Sequence, residues 1–106
     1  MGCMYRMTVV YDHPEDPEKF LKHYREVHAP LVEKLPELRS FGWGVSESPG
    51  GEKPGFFVVA VLDWESKEHA QAALASAAGG AAVGDVANFA RPGQFHVLFA
   101  EVEKVV

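Results

Sequence analysis

The chain has 106 residues, 47% hydrophobic and 24% charged, with a formal charge of −5, which suits one folded domain with a core of limited depth and excludes a second. That acidic balance, with no Lys/Arg cluster, opposes binding to a nucleic-acid backbone, and no stretch approaches the ~20 apolar residues that span a bilayer. The lone Cys3 has no internal partner, so a reducing cytoplasm is expected, and Arg6 stands where a lipidation signal beginning Met1-Gly2 would need Ser or Thr.

Residues 4–11 alternate as a strand, with Tyr5, Met7, Val9 and Tyr11 on the drier face. The turn His13-Pro14-Glu15-Asp16-Pro17 then leads into the longest helical pattern of the chain, running to Leu38. Asp16 is placed to cap it and Pro17 to open it, where a missing N–H costs nothing. Phe20, Tyr24, His28 and Leu31 recur at spacings of three and four, so they form the inward face. At about 100° per residue Tyr24 is the helical neighbour of His28, whereas His23 lies about 140° away. Pro30 removes the donor for the carbonyl of Glu26, which predicts a kink or break just after His28. Pro36 ends the pattern.

The next strand, within residues 39–48, has Phe41, Trp43 and Val45 on one face and Gly42 and Gly44 on the other. Glycines in a strand mark a bulge or a close approach, and here they are expected to leave room for a pocket. Residues 49–55 form a Gly- and Pro-rich hairpin connection, followed by a strand over 56–64 that is apolar on both faces. Ser66 caps a second helix with a shallow stripe of Ala70, Ala73, Leu74 and Ala77, which Gly79-Gly80 should interrupt. One more short helical piece carries Asp85 and Phe89, four apart on one face. After Pro92-Gly93 the last strand runs from Gln94 to about Val105, with Phe95, Val97 and Phe99 on one side.

The order β-α-β-β-α-β is that of α+β ferredoxin-like folds, a four-stranded antiparallel sheet with its helices on one face. Three strands are apolar on both faces while the helices cover only one. A second copy of the chain is the simplest cover for the other, so a homodimer is expected.

The run H-Y-R-E-V-H-A-P-L-V-E-K-L-P over 23–36, the preceding D-P-E-K-F, and G-D-V-A-N-F over 84–89 resemble the EthD-like proteins of the dimeric α/β-barrel superfamily. The resemblance spans nearly the whole chain, residues 1–106 as a single domain, and the pairing of H-x-P-L with a late D-x-x-x-F is its specific part. It implies two sheets packed face to face into a barrel and, in each subunit, a pocket between sheet and helices. Members are associated with ether degradation and the tailoring of aromatic polyketides. Glu37 stands where the family has Gly, which alters a turn.

His28 is the leading site candidate, because histidine both gives and takes a proton near neutral pH. The bland reading is a buried histidine that ties down carbonyls freed by Pro30. Tyr24 is either a donor to a substrate oxygen or core, and Asp85 either orients His28 or caps its own short helix. Phe20, Leu31, Phe41, Trp43, Phe89 and Phe95 are expected around a small apolar or aromatic ligand. The scattered histidines and single cysteine give no metal set, and no Gly-rich phosphate loop stands between strand and helix, so neither metal nor cofactor is expected. Two functions follow. One is a cofactor-independent lyase or isomerase moving a proton beside a carbonyl through His28. The other is a non-catalytic binder or accessory to an oxidative or polyketide pathway.

Overall fold

A computed structural model of the protein describes residues 3–106. The Met1-Gly2 pair, on which a lipidation reading turns, lies outside the described residues. Four strands, β1 (Cys3–Tyr11), β2 (Ser40–Val45), β3 (Val58–Trp64) and β4 (Phe95–Glu103), form one antiparallel sheet in the order β2-β3-β1-β4. Two helical segments cross one face, so the βαββαβ order read from the sequence is the ferredoxin-like architecture observed.

The first helical segment comprises α1 (Pro17–His23), a π-helical turn over Tyr24–His28, and α2 (Ala29–Val32). Asp16 caps α1 as expected, its side chain accepting from the Lys19 N–H at 3.1 Å, a contact worth about 1 kcal/mol. The break expected after His28 does not occur. Instead the Ala29 N–H bonds the carbonyl of Tyr24, five residues back, which inserts one extra residue into the turn. That shift restarts the α-helical register at Ala29, so Pro30 falls in the opening turn of α2, where its missing donor and fixed φ are tolerated.

The second segment comprises α3 (Lys67–Ala75), α4 (Ala77–Asp85) and a 3₁₀ turn over Val86–Asn88. Its interruption falls at Ser76, which is extended (φ −73°, ψ 169°), and not at the predicted Gly79-Gly80. Ser66 and Ser76 each cap the helix that follows, bonding the N–H groups of His69 and Gly79. Gly79 permits the corner: a Cβ there would lie 2.3 Å from the Leu74 carbonyl oxygen.

Register fixes which residues face the helices. Tyr11 pairs with Val58 and Phe95, and Val9 with Ala60 and Val97, so these line the covered side, where the core gathers around Tyr11, Phe20, Tyr24 and Trp64. The Trp64 indole N–H donates to the Pro36 carbonyl at 3.2 Å and ties the end of the first helical segment to the sheet. Gly42 and Gly44 pair with Val61 and Val59 on the opposite side. They therefore open no room under the helices, because strand alternation sends them to the uncovered face.

Candidate functional site

The π-turn decides the geometry of the site. In an α-helix His23 and His28 diverge, but a turn closed between residues five apart brings them onto one side. Both imidazoles meet Asp85, at the end of α4. His28 Nδ1 lies 3.0 Å from one carboxylate oxygen, and His23 Nε2 lies 3.0 Å from each of the two. Asn88 adds its amide N–H at 2.9 Å. Asp85 is buried, yet these three donors outweigh the burial that would raise it and hold its carboxyl below the ordinary aspartate range. An ionised carboxylate only accepts, so the facing nitrogens, His28 Nδ1 and His23 Nε2, carry protons.

With Nδ1 so engaged, the remaining nitrogen of a neutral His28, Nε2, is bare. Burial pushes this imidazole below the usual histidine value against the opposing pull of Asp85, and His23 adds to the downward push, so the neutral form prevails. Among the described residues Nε2 bonds no protein group, and no buried side-chain nitrogen or oxygen lacks a partner. Nε2 is therefore open to the space beside it. His28 lines a cavity of about 130 Å³ between sheet and helices, together with Tyr24, Tyr11, Phe95 and Met7 and otherwise aliphatic side chains. An apolar cavity of roughly 150 Å³ accepts benzene, which sets the scale of what fits.

Tyr24 is 1% exposed and its ring centroid lies 5.0 Å from that of His28. Burial raises its hydroxyl, with neighbouring Tyr11, whose ring lies 5.7 Å away, adding to the rise, and burial pushes Tyr11 up to about 12. Both phenols stay protonated at neutral pH.

The structure distributes the other sequence candidates over several places. Phe95 lines the cavity. Phe20 and Phe89 line a separate outer cleft of about 330 Å³, where His23 also faces. Leu31, Phe41 and Trp43 line neither and pack against the core, with the Trp43 ring 4.6 Å from Tyr24 and the Arg25 guanidinium 5.4 Å from its centroid. Asp85 bonds His28 and makes no cap bond to the 3₁₀ turn after it. Sequence reasoning missed His23, Tyr11 and Asn88. The five-residue spacing of His23 and His28 ahead of Pro30 carries the signal for His23, and Asn88, three after Asp85, is a one-turn amide–carboxylate spacing. Among the described residues no group of three or more His, Cys, Asp or Glu is disposed to hold a metal ion. The three residues gathered here are engaged with one another.

Fold and site together define a small ferredoxin-like α+β protein with a carboxylate-anchored histidine on an apolar cavity. The EthD domain model matches residues 12–93, and the chain belongs to the EthD family. It is 44% identical over 103 residues to an uncharacterized 11.0 kDa protein from the thcB-thcC intergenic region of Rhodococcus erythropolis, covering 97% of this chain and 99% of that one. A crystal structure of an EthD family protein from Bacillus halodurans matches with a TM-score of 0.86 at 30% identity, covering 93% of this chain and 98% of that one. At the level of fold alone it is similar to a dimeric ferredoxin-like protein of unknown function from Thermobifida fusca (TM-score 0.73, 14% identity, 96% and 93% covered). The hydroxynitrile lyase of Passiflora edulis is similar in the same sense (TM-score 0.74, 13% identity, 99% and 97% covered).

Proposed function

We propose that the protein is a cytoplasmic homodimer whose cavity takes a small apolar or aromatic carbonyl compound, and that His28 is a cofactor-independent general base of the lyase or isomerase type. The carrying observation is the Asp85–His28 pair, 3.0 Å apart, which leaves the other ring nitrogen without a protein partner on a residue that lines the apolar cavity. Asp85 fixes the tautomer and stabilises the imidazolium formed when Nε2 takes a proton from carbon, and a phenol proton of the Tyr11–Tyr24 pair is available to the developing oxyanion. The proton on Nε2 then returns to a neighbouring atom of the substrate or to a leaving group, so no redox partner is needed. That a hydroxynitrile lyase shares the fold supports chemistry of this kind on such a scaffold.

The dimer reading rests on the uncovered sheet face, where Leu98 is 60% exposed and Val59 and Val61, across β1 from it, are partly exposed. A monomer rarely leaves such a surface to water. The dimeric state of the Thermobifida fusca protein supports it. The single exposed cysteine, Cys3, suits a reducing compartment.

Binding without chemistry is the second reading, favoured by the nearly wholly apolar lining, which offers a reacting oxygen no charged group. Hydrogen–deuterium exchange at the α-carbons of cyclohexanone and acetophenone in D₂O, followed by proton NMR, separates the two. The enzyme reading expects exchange above buffer that falls about 10²–10⁴-fold in His28→Asn. Shifts of cavity resonances on ketone addition without exchange select the binder, and neither effect refutes both.

A further inference from the structure

The residues lining the inner cavity differ sharply in exposure. His28, Tyr24 and Tyr11, which carry all the nitrogen and oxygen atoms of its lining side chains, are buried, whereas Val83 on α4 is 58% exposed and Val97 on β4 is 41% exposed. The cavity is therefore closed at its polar end and open between α4 and the edge strand β4. Apolar surface continues outward from this mouth. Phe99, exposed and two residues beyond Val97, pairs with Met7 of the lining and so stands on the same side of the sheet. That side is the one the helices cross, opposite the face assigned to the dimer.

We infer that the ligand is an elongated neutral ketone that enters head first, its carbonyl at the buried His28 end and its alkyl tail leaving through the mouth along Val83, Val97 and Phe99. This rests on the cavity being the ligand site; it narrows the substrate class and adds Val83 and Val97 as specificity-determining residues. Polar groups gathered at one end of an otherwise apolar pocket fix the orientation of a ligand with one polar end. A charged or many-hydroxyl compound would lose its hydration along the apolar passage with nothing to replace it. The enclosed part, on the scale of benzene, limits the head alone, because the tail lies beyond it. Each further methylene then has apolar surface to cover, which raises affinity by at most about fourfold when the group is fully buried.

The test is NMR titration with methyl ethyl, methyl butyl, methyl hexyl and methyl octyl ketones, which differ only in the length of the tail. Wild-type affinity is expected to rise about two- to fourfold per methylene up to the longest, past the length that the enclosed part holds. Nuclear Overhauser contacts are expected from the acetyl methyl to the Tyr24 and His28 rings and from the terminal methyl to Val83 and Val97. Val83→Lys and Val97→Thr, both at exposed positions, are expected to flatten the series, each cutting the preference for methyl octyl over methyl ethyl ketone by about fivefold or more. Affinity that peaks at methyl butyl ketone and then falls overturns the inference, as do reversed Overhauser contacts or variants that keep the full preference. Light scattering in which both variants dissociate a wild-type dimer would assign the strip to a partner copy, and this also overturns it. Methyl ethyl ketone bound with no gain from the tail refutes the inference and leaves the ligand cavity standing, whereas no ketone bound at all refutes both.

Discussion

Replacing Asp85 by Asn probes the whole arrangement, because it turns one carboxylate oxygen into an amide nitrogen with almost no change in volume. Three donors converge on that group, His23 and His28 at 3.0 Å and Asn88 at 2.9 Å. An amide offers one acceptor oxygen and two N–H groups, so it cannot accept from all three. Two orientations are open to it: with its nitrogen facing His28 that ring must turn a bare Nδ1 toward the new N–H, and with its oxygen there the oxygen accepts from both imidazoles while Asn88 turns its amide. In the first the proton of His28 moves to Nε2, the atom that must be bare to act as a base, and in the second the ring keeps its tautomer but loses the charge that stabilises its imidazolium. Hydrogen bonds to an ionised group are worth roughly 1.5–3 kcal/mol and neutral ones about 0.5–1.5 kcal/mol, so converting two imidazole bonds costs about 2 kcal/mol. In a domain of this size each kcal/mol moves the melting temperature by roughly 4–8 °C, which predicts a fall of about 8–16 °C. The assay is a thermal melt at pH 7 with long-range ¹H–¹⁵N spectra of the histidine rings, which report the protonated nitrogen without any substrate. The expected result is a lower Tm and ketone exchange reduced about 10²–10⁴-fold, with the ring spectra telling the two orientations apart. An unchanged Tm with undiminished ketone exchange would refute the reasoning.

His23 competes with His28 for one carboxylate and pushes His28 downward, so His23→Gln is expected to raise the NMR titration midpoint of His28 with little loss of Tm; an unmoved midpoint removes the coupling. The charged groups around this pair are Asp85 on α4, Lys19 on α1, Glu15 and Asp16 in the preceding turn and Arg91 across the cleft, all retained in the variant. Because the folded protein holds His28 low, its unfolded form binds more protons just below the ordinary histidine value near ~6.5, and stability measured by urea melts should fall as pH drops from there. Asp85, also held low, adds a second loss as pH falls below the ordinary aspartate value near ~3.9, which Asp85→Asn should abolish. Glu37 sits at φ 60°, a left-handed conformation that costs a side chain roughly 1–2 kcal/mol, so Glu37→Gly is expected to raise Tm by several degrees, and a lower Tm would mean the side chain earns its place. Leu98→Glu on the uncovered face should convert the dimer to monomer in light scattering, whereas a wild-type protein that is already monomeric at micromolar concentration sinks the dimer reading.

Much of the fold was legible because its signals are local. Alternation places β1 and a continuous apolar run places β3, Asp16 and Ser66 announce helix starts through bonds to residues three ahead, and the strand–helix order leaves little choice of architecture. Tyr24 and His28 were likewise readable as inward, since four residues nearly complete a helical turn. The rest depended on contacts that no local pattern carries. His23 was set aside because a 3.6-residue period points it away from His28, and only the π-turn, which absorbs Pro30 by adding a residue, brings it back. The carboxylate that then engages both imidazoles lies 57 and 62 residues along the chain. The glycines of β2 were legible as gaps but not as to their face, because the side on which a strand's gaps fall is set by pairing with β3. The cavity is a remainder of the same kind. It is the space left when Ala82, Leu74 and the strand side chains meet, and its extent follows from how closely two helical segments approach a sheet that each residue's own neighbours do not specify.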